Sequence, residues 1–384
     1  MRNKLLNLFI TAIILLIVSS ASVKNVNSQT QKVWNPQKTW VFFVGLLEWQ
    51  DSETFASYPQ QNRRDVILLD VLRQRGVPEN QIMYLQDREA TTEKIKSSLQ
   101  TFLSKAQPDD WVFFYYSGHG YKSEDNRETF FAGYDADDHN MWNINSVPDA
   151  IDTYFKGSNA LIMLDNCYSG AMAEAVEHRK SRVSYAVLAS SHFNSSSTGN
   201  WTFTESLIYA FRGESFIDDD SDGEITLAEL AQNSADDMLF AEEQITEFTF
   251  TGSLKNQTVI AVNVPRADSR VGERIEAFDQ GNWYRAIITS KENNKFKVHF
   301  YGYEYDEDAF RTATQIRQFV PKSYAVGSRV EAESDGEWYQ AKVLEVKGGA
   351  HFVHYVEYGR EYDEWVSSDR IRLLRQTKKI SRSR

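Results

Sequence analysis

The chain of 384 residues contains a single cysteine and only seven prolines. One cysteine excludes an intrachain disulfide, and the shortage of proline and glycine excludes a collagen-like or a Pro/Gly-rich low-complexity chain. Basic residues are fewer than acidic ones, 42 against 54, and the formal net charge of −12 argues against a dedicated nucleic-acid binder. Hydrophobic residues make up 41% of the chain, the share of an ordinary globular protein.

A long membrane-spanning run is lacking too. The N-terminal apolar run, residues 5–18, has about fourteen residues, fewer than the roughly 20 that a transmembrane helix requires. Two basic residues precede it, and Ser19-Ser20-Ala21 offers the small side chains that precede a signal-peptidase cut. We therefore predict a signal peptide over residues 1–21, a linker over 22–38, and an exported protein with no membrane association after cleavage. An uncleaved N-terminal anchor is the alternative.

Residues 39–263 alternate apolar runs with amphipathic helical stretches. The runs at 40–47, 111–116 and 160–164 are continuously apolar, as strands buried on both faces are. Between them lie stretches with apolar residues at helical spacing, such as Ile95 to Ala106. This alternation predicts an α/β domain with a mostly parallel sheet and helices on both faces.

The remaining chain is rich in aromatic residues and short alternating strands, and it repeats itself. Trp283-Tyr284 recurs 55 positions later as Trp338-Tyr339. Tyr305-Asp306-Glu307 recurs as Tyr362-Asp363-Glu364 at a spacing of 57, which suggests an insertion of two residues. The sequence therefore predicts two small all-β modules and a basic tail, at residues 269–321, 325–376 and 377–384.

Glycine-flanked polar residues follow two of the predicted strands. Ser117-Gly118-His119-Gly120 comes after the run at 111–116, and Asp165-Asn166-Cys167 comes after the run at 160–164. Because the ligands of open parallel sheets lie beyond the carboxyl ends of the strands, we expect His119 beside Cys167. An imidazole promotes the deprotonation of a thiol, and the backbone N–H groups of Gly120 and Cys167 are suited to hold an oxyanion. The alternative is that neither residue is catalytic: Cys167 would be a small buried residue and His119 a loop histidine with satisfied hydrogen bonds.

These motifs resemble those of the metacaspase branch of the caspase-like cysteine peptidases. The resemblance rests on Ser117-Gly118-His119-Gly120 and on Asp165-Asn166-Cys167-Tyr168-Ser169-Gly170, and it extends over roughly residues 39–263. It implies a caspase-like fold and an endopeptidase with Cys167 as nucleophile and His119 as base.

The same resemblance implies a preference for substrates with arginine or lysine before the scissile bond. The residues that match the family's acidic pocket are Asp65, Ser117 and Asp165. Two positions depart from the family pattern: Tyr168 replaces a usual histidine, and Arg64-Asp65-Val66 replaces Asn-Asp-Ala. An inactive caspase-like scaffold that only binds a protein partner remains an alternative, as does a legumain- or gingipain-like specificity on the same fold.

An acidic loop at residues 218–229 fits the twelve-residue EF-hand pattern. Gly223 occupies the position of the sharp turn. The candidate calcium ligands are Asp218, Asp220, Asp222, Glu224, Thr226 and Glu229. Since carboxylate and carbonyl oxygens are the ligands that Ca²⁺ prefers, we predict calcium as a structural or activating cofactor and no organic one. The alternative is an acidic turn that caps the helix beginning near Thr226.

The repeated modules resemble Tudor and agenet domains, small bent β-barrels with aromatic ligand pockets. The second copy matches better, and its relevant aromatic residues are Trp338, Tyr339, Tyr355, Tyr358, Tyr362 and Trp365. Aromatic rings around an acidic residue hold a cationic side chain by cation–π attraction, although the same rings also serve as core. We therefore expect polypeptide substrates and a protein ligand of the modules as partners, and no nucleic acid.

Overall fold

The computed structural model describes residues 32–374 apart from residues 62, 124, 138, 139, 264–267 and 335. The predicted signal peptide over 1–21 and the basic tail over 377–384 lie outside the described residues. From Lys32 onwards the chain forms one compact unit. None of the helices in the described part of the chain is long and apolar enough to cross a bilayer.

The N-terminal domain, residues 32–263, contains eleven strands and six helices. Its strands are β1 (Thr39–Gly45), β2 (Ile82–Gln86), β3 (Trp111–Ser117), β4 (Gly120–Lys122), β5 (Thr129–Phe131), β6 (Trp142–Asn143), β7 (Asn159–Asp165), β8 (Ser184–Ala189), β9 (Glu224–Thr226), β10 (Glu247–Phe250) and β11 (Val259–Val262). Its helices are α1 (Arg64–Gln74), α2 (Thr92–Leu103), α3 (Ser146–Tyr154), α4 (Ala171–Glu177), α5 (Thr202–Arg212) and α6 (Leu227–Glu242).

Six of these strands form the central sheet, in the order β10-β8-β7-β3-β1-β2. All neighbours are parallel except β10, which pairs antiparallel with β8. Helices α1, α5 and α6 pack on one face and helices α2, α3 and α4 on the other. Because both faces are covered, β3 is buried along its whole length and reads as an unbroken apolar run. The predicted α/β class with helices on both faces is confirmed.

The C-terminal region forms two separate five-stranded antiparallel sheets. The first, module 1, contains β12 (Arg274–Asp279), β13 (Asn282–Glu292), β14 (Lys295–Phe300), β15 (Ala309–Arg311) and β16 (Ile316–Arg317). The second, module 2, contains β17 (Arg329–Ser334), β18 (Glu337–Lys347), β19 (Ala350–Tyr355), β20 (Glu364–Val366) and β21 (Ile371–Leu373). Each sheet encloses its own small apolar core, and the predicted pair of all-β modules is confirmed.

The strand registers correct one detail of the repeat. Phe296 pairs with Arg311 in module 1, as His351 pairs with Val366 in module 2. Both residues of each pair are therefore 55 positions apart between the modules, and the predicted two-residue insertion is wrong. The two Tyr-Asp-Glu triplets, at 305–307 and 362–364, therefore do not occupy equivalent positions in the two modules. Strand register, rather than residue identity, decides which positions are equivalent.

Module 1 is joined to the N-terminal domain by buried charges. Arg64, at the start of α1, pairs with Glu205 of α5 at 2.7 Å and with Glu304 of module 1 at 3.3 Å. His299 of β14 lies between Glu205, at 3.2 Å, and Asp308, at 2.7 Å. Glu205 therefore has one cation from each side of the interface.

Candidate active site

The candidate site lies at the carboxyl ends of β3 and β7, which are adjacent and parallel. Ser117 and Asp165 are direct register partners there, and His119 and Cys167 each follow two residues later. The backbones touch beyond the strands, since a Cβ on Gly120 would lie 2.0 Å from the Cys167 carbonyl oxygen. Only glycine permits this approach. The two segments singled out in the sequence are brought together by β3–β7 pairing.

The Cys167 thiol is enclosed by backbone. The N–H of Ser197 donates to Sγ at 3.2 Å, and the carbonyl oxygen of Ser197 lies 3.8 Å from Sγ. Burial raises the pKa of the Cys167 thiol, and the backbone N–H groups of Ser197, Cys167 and Gly120 oppose that rise in pKa. The net rise in pKa favours the protonated thiol. The backbone of Gly120, which is expected to hold an oxyanion together with the Cys167 N–H, lies against the Cys167 carbonyl oxygen.

The His119 ring is occupied on both sides. Its Nε2 contacts the carbonyl oxygen of Ala56 at 2.8 Å and its Nδ1 contacts the hydroxyl of Tyr58 at 3.3 Å. A neutral ring that donates from Nε2 and accepts at Nδ1 satisfies both contacts. Burial lowers the pKa of His119, which favours this neutral form. Within the described residues neither ring nitrogen bonds Cys167, so the predicted dyad is not joined in this conformation.

An aromatic enclosure around His119 was missed by the sequence analysis. The rings of Trp49, Phe55 and Tyr58 lie 4.4, 5.7 and 5.0 Å from the imidazole, centroid to centroid. All three belong to the irregular segment 46–61 between β1 and α1, hereafter the aromatic loop. Because these three residues have neither helical nor strand spacing, the sequence offered no signal that would have found them. Burial, then the charges of Cys167 and Asp165, raise the pKa of Tyr58 to about 12.

A narrow pocket opens beside the thiol, lined in part by Tyr58, Ser117, Asp165 and Thr198. Its volume is about 30 Å³, room for a water molecule and far too little for an arginine side chain. Burial raises the pKa of Asp165 to about 7, against the lowering effect of the Thr204 hydroxyl, which donates to it at 2.6 Å. The buried Ser117 hydroxyl has no hydrogen-bond partner among the described residues.

Asp65 does not line this pocket. It is fully buried, pairs with Arg63 at 2.8 Å and accepts from the Tyr84 hydroxyl at 2.7 Å. Arg63 also pairs with Asp87 at 2.6 Å. Because Arg63 directly precedes α1 and turns back onto it, the charge of Asp65 is neutralised from within the protein. The structure brings together Ser117 and Asp165 of the predicted pocket, but it does not add Asp65 to them.

The acidic loop 218–229 combines a carboxylate cluster with a helix cap. Asp218, Asp220 and Asp222 place carboxylate oxygens within 4.8 Å of one another. Glu229 instead accepts from the backbone N–H groups of Asp219, at 2.9 Å, and Thr226, at 2.8 Å. Thr226 and Glu229 form the capping box of α6, so the helix-cap alternative is realised by these two residues.

The three aspartates of the loop fit a hard divalent cation. Asp218 is buried and accepts from the Gly223 backbone N–H at 3.0 Å and from the Asn263 side chain at 2.6 Å. Glu224, whose backbone carbonyl is the expected ligand, begins β9 and donates its N–H to Asp222 at 2.8 Å. Converging carboxylates in a turn with a left-handed glycine, here Gly223 with φ +90°, suit Ca²⁺ better than a soft metal.

The segment that covers the thiol also contacts module 2. The Ser195 hydroxyl lies 3.3 Å from the backbone N–H and 3.4 Å from the carbonyl oxygen of Trp365. Asn194 donates from its side chain to the Asp363 carbonyl oxygen at 3.3 Å. The Ser195 carbonyl accepts from the Tyr168 N–H at 2.9 Å. Segment 194–198 therefore lies between Cys167 and module 2.

A cysteine and a histidine beyond adjacent parallel strands, with small all-β sheets after them, define a caspase-like domain followed by Tudor-like modules. Residues 66–176, which include His119 and Cys167, match the family model of the metacaspase, peptidase C14 domain. Residues 324–373, which coincide with module 2, match the model of the Tudor-knot, described as an RNA binding activity-knot of a chromodomain. The chain thus contains a metacaspase-type peptidase domain and a Tudor-knot domain.

Two individual proteins are similar to parts of the chain. Histone acetyltransferase ESA1 of Candida albicans is 37% identical over 68 residues, which is 16% of this chain and 13% of that protein. The chain therefore spans about an eighth of the length of this curated relative. The crystal structure of protein GSU0716 from Geobacter sulfurreducens aligns with 60% of this chain and with all of that chain, at 13% identity and a TM-score of 0.40.

Proposed function

We propose that the chain is an exported cysteine endopeptidase that cuts polypeptides after arginine or lysine, with Cys167 as nucleophile and His119 as general base. One observation carries the proposal: the backbones of Cys167 and Gly120 meet at the edge of a pocket that contains Asp165. The match of residues 66–176 to a peptidase family supports it. Export rests on the N-terminal sequence alone.

The reaction needs one proton carrier and one oxyanion site. His119 takes the proton of the Cys167 thiol as sulfur attacks the carbonyl carbon of the scissile bond. The N–H groups of Gly120 and Cys167 stabilise the negative oxygen of the tetrahedral intermediate. His119 then gives the proton to the leaving amine, the C–N bond breaks, and a thioester remains on Cys167. A water molecule deprotonated by His119 hydrolyses the thioester and regenerates the thiol.

This chemistry requires the aromatic loop to move. His119 has to exchange its contacts with Ala56 and Tyr58 for a contact with Cys167. Because Tyr58 also lines the 30 Å³ pocket, the same movement would make room for the side chain before the scissile bond. Substrate binding and assembly of the dyad are therefore coupled in the proposed mechanism.

The pocket favours a cationic side chain. Asp165 is buried, and no lysine or arginine is among the described residues that line the pocket with it. A guanidinium or ammonium group would supply the missing countercharge, whereas an aspartate side chain would add a second buried negative charge. The unpartnered Ser117 hydroxyl offers an additional hydrogen bond.

We further propose that the acidic loop holds Ca²⁺. The three clustered aspartates would supply carboxylate ligands, Glu224 its backbone carbonyl, and Thr226 and Glu229 the remaining oxygen atoms. A bound Ca²⁺ ion would relieve the repulsion among the carboxylates and fix the connection between α5 and α6. The proposed role is structural.

A second candidate is an inactive caspase-like scaffold whose modules recruit a protein partner. It is favoured by the resting geometry, in which the His119 ring is engaged elsewhere and burial raises the pKa of the Cys167 thiol. Turnover by the wild-type chain separates the two candidates.

The experiment that tests the proposed function is turnover of peptide reporters that end in arginine, lysine or aspartate, with and without calcium. Cys167→Ala should abolish turnover, and His119→Ala should lower it by several orders of magnitude, because nucleophile and base act as a unit. Wild-type-like cleavage by Cys167→Ala would refute the peptidase mechanism. Preference for the aspartate reporter would refute the acidic pocket.

Asp165→Asn tests the pocket itself. Loss of the buried negative charge should lower kcat/KM for the arginine reporter. The fall should correspond to a loss of about 2–4 kcal/mol in transition-state stabilisation. A matched reporter with a neutral residue of similar length is the control and should be affected far less. Equal losses on both reporters would assign Asp165 a purely structural role.

The resting geometry has its own test, alkylation of Cys167 by iodoacetamide in the absence of substrate. Since His119 does not contact the thiol here, His119→Ala should alkylate at nearly the wild-type rate. A tenfold drop in that rate would show that the dyad is already joined in the free enzyme.

A further inference from the structure

A second cavity lies on the far side of the segment that covers Cys167. It measures about 560 Å³ and is bounded by Tyr168, Ser197 and Thr198 of the peptidase domain and by module 2. Ser197 and Thr198 also line the pocket beside the thiol. The two spaces therefore share one wall, so an extended polypeptide bound at Cys167 has module 2 within reach of its side chains.

Module 2 contributes four tyrosine rings to this cavity: Tyr339, Tyr355, Tyr358 and Tyr362. Tyr339 lies 6.0 Å from Tyr355 and 5.6 Å from Tyr358, centroid to centroid, and Tyr358 lies 5.8 Å from Tyr362. Adjacent rings are steeply inclined to one another, between 72° and 85°. Tyr358 and Tyr362 are each 45% exposed, unlike core residues. We call these four residues the tyrosine cage.

Module 1 contains counterparts of three of these rings, with one arginine near them. Its corresponding residues Tyr284, Phe300 and Tyr303 have the same arrangement, with centroid distances of 5.6 to 6.1 Å. There the guanidinium of Arg311 lies 5.4 Å from the centroid of Phe300. The strand register places Val366 at the position of Arg311 in module 2. In the described part of the chain no cation lies over the four rings of the tyrosine cage.

The charge around the tyrosine cage is negative. Five glutamates line the cavity, against one lysine and one arginine. The arginine, Arg370, is already paired with Glu333 at 3.1 Å and with Glu364 at 3.0 Å. Residues 325–373 contain ten acidic and six basic residues, a net charge of −4. This field attracts a cationic polypeptide and repels the phosphates of RNA.

We propose that the tyrosine cage is a second substrate-binding site of the peptidase, which takes a lysine or arginine side chain of the same polypeptide that is cut at Cys167. This inference rests on the proposed function. Module 2 would thereby act as a specificity element, selecting substrates with a second basic residue at a fixed distance from the scissile bond. The cation would lie against the tyrosine rings with Glu361 beside it.

The test uses the full chain as Cys167→Ala, so that binding is measured without cleavage. The probes are fluorescein-labelled peptides with one arginine and a single lysine moved stepwise along an otherwise neutral sequence. At the best spacing the peptide should bind about tenfold more tightly than its glutamine counterpart, the size of a partly desolvated cation–π contact. Tyr358→Ala and Tyr362→Ala should each remove most of that advantage.

Tyr303→Ala is the matched control, because Tyr303 is the counterpart of Tyr358 in module 1 and is 38% exposed. It should leave binding unchanged, and Tyr358→Phe should retain it. In the wild-type background, Tyr358→Ala should lower kcat/KM for the long peptide of best spacing about tenfold, yet leave a short reporter that ends at the scissile bond unaffected.

The outcomes separate this inference from the proposed function. Cysteine-dependent turnover with no dependence on the lysine or on Tyr358 would overturn the tyrosine cage as a substrate site and leave the peptidase standing. Cage-dependent binding of the lysine peptide without any turnover would support the cation site and refute the peptidase. Tighter binding of a single-stranded RNA oligonucleotide than of any lysine peptide, lost in Tyr358→Ala, would overturn the inference in favour of RNA.

Discussion

The two C-terminal modules share a fold and a strand register, yet the same motif has different surroundings in each. His299 of module 1 and His354 of module 2 occupy equivalent positions and bond equivalent aspartates, at 2.7 and 2.6 Å. The His354 side chain is 33% exposed, whereas that of His299 is fully buried and also reaches Glu205 of the peptidase domain at 3.2 Å. Burial alone would lower the pKa of His299, but its bonds to Asp308 and Glu205 outweigh burial and raise it to about 9.

The two modules are therefore attached to the peptidase domain in different ways. Module 1 is attached through buried ionic contacts with α1 and α5, so it acts as part of the scaffold. Module 2 contacts the segment above Cys167 through the Ser195 hydroxyl, the Asn194 side-chain amide and backbone groups, and a cavity lies between module 2 and that segment. The same fold is thus joined to the peptidase domain by buried ion pairs in module 1 and borders an open cavity in module 2.

The largest loss of stability should follow from removing the buried ion pairs that attach module 1 to the peptidase domain. Arg64→Ala would leave Glu205 buried with His299 as its remaining cation, at a cost of about 3–5 kcal/mol in the free energy of unfolding. Arg73→Ala on the same helix, whose partners Asp70 and Glu79 are exposed, is the control and should cost no more than about 1 kcal/mol. Denaturant unfolding measures the free energy of unfolding of both variants. Equal losses in the two variants would contradict a stabilising role of the buried ion pairs of Arg64.

The pH dependence of stability should report on His299 of module 1. Because the pKa of His299 is raised to about 9, the folded state holds its proton more tightly than the unfolded chain, whose histidines titrate near 6.5. The stabilisation is thus complete below about pH 6.5 and is lost as pH rises to about 9, by roughly 3 kcal/mol. His299→Gln should flatten the slope of unfolding free energy over this window. A slope that is unchanged in His299→Gln would contradict the ionic bonds of His299 to Glu205 and Asp308.

Calcium should stabilise the part of the peptidase domain on which module 1 rests. Phe216, two residues before the acidic loop, packs against Gly272 at the start of module 1. At a hundredfold excess over Kd, a ligand that binds only the folded state adds about 2.7 kcal/mol. Calorimetry should therefore show a higher Tm with calcium than with chelator.

Asp220→Asn is the sharper variant for the calcium test, because Asp218 and Glu229 also hold the loop and the α6 cap through protein hydrogen bonds. It should erase the calcium-induced shift in Tm while leaving the Tm in chelator nearly unchanged. If calcium shifts neither the wild type nor the variant, the loop is only a turn and a helix cap.

The smallest loss of stability is expected from the contact between Ser195 and module 2. Ser195→Ala removes the hydroxyl that lies between the N–H and the carbonyl oxygen of Trp365, at a cost of about 1–2 kcal/mol in the free energy of unfolding. The pH slope attributed to His299 should persist in this variant, since module 1 keeps its contacts. Loss of the slope would show that the two modules detach together.

Local sequence patterns were sufficient to predict the two strands that position the candidate site. Continuous apolar runs predicted β3 and β7, and the glycines after them predicted where the backbone turns, so His119 and Cys167 were placed at the sheet edge from the sequence. The same reasoning failed for the repeat after Tyr303, because recurring letters do not reveal strand register. It also missed Trp49, Phe55 and Tyr58, whose loop has no periodicity to read.

The alternation of strands and helices, the two β modules and the candidate nucleophile could be predicted from the amino-acid sequence, because they depend on composition and spacing along the chain. The side-chain contacts became evident only from the folded structure. It turned Arg63 onto Asp65, bonded His119 to Ala56 and Tyr58 rather than to Cys167, and placed the tyrosine cage on the far side of the segment that covers the thiol. Such contacts join residues that are distant along the chain. Their energies depend on how deeply the side chains are buried, and tertiary packing determines that burial.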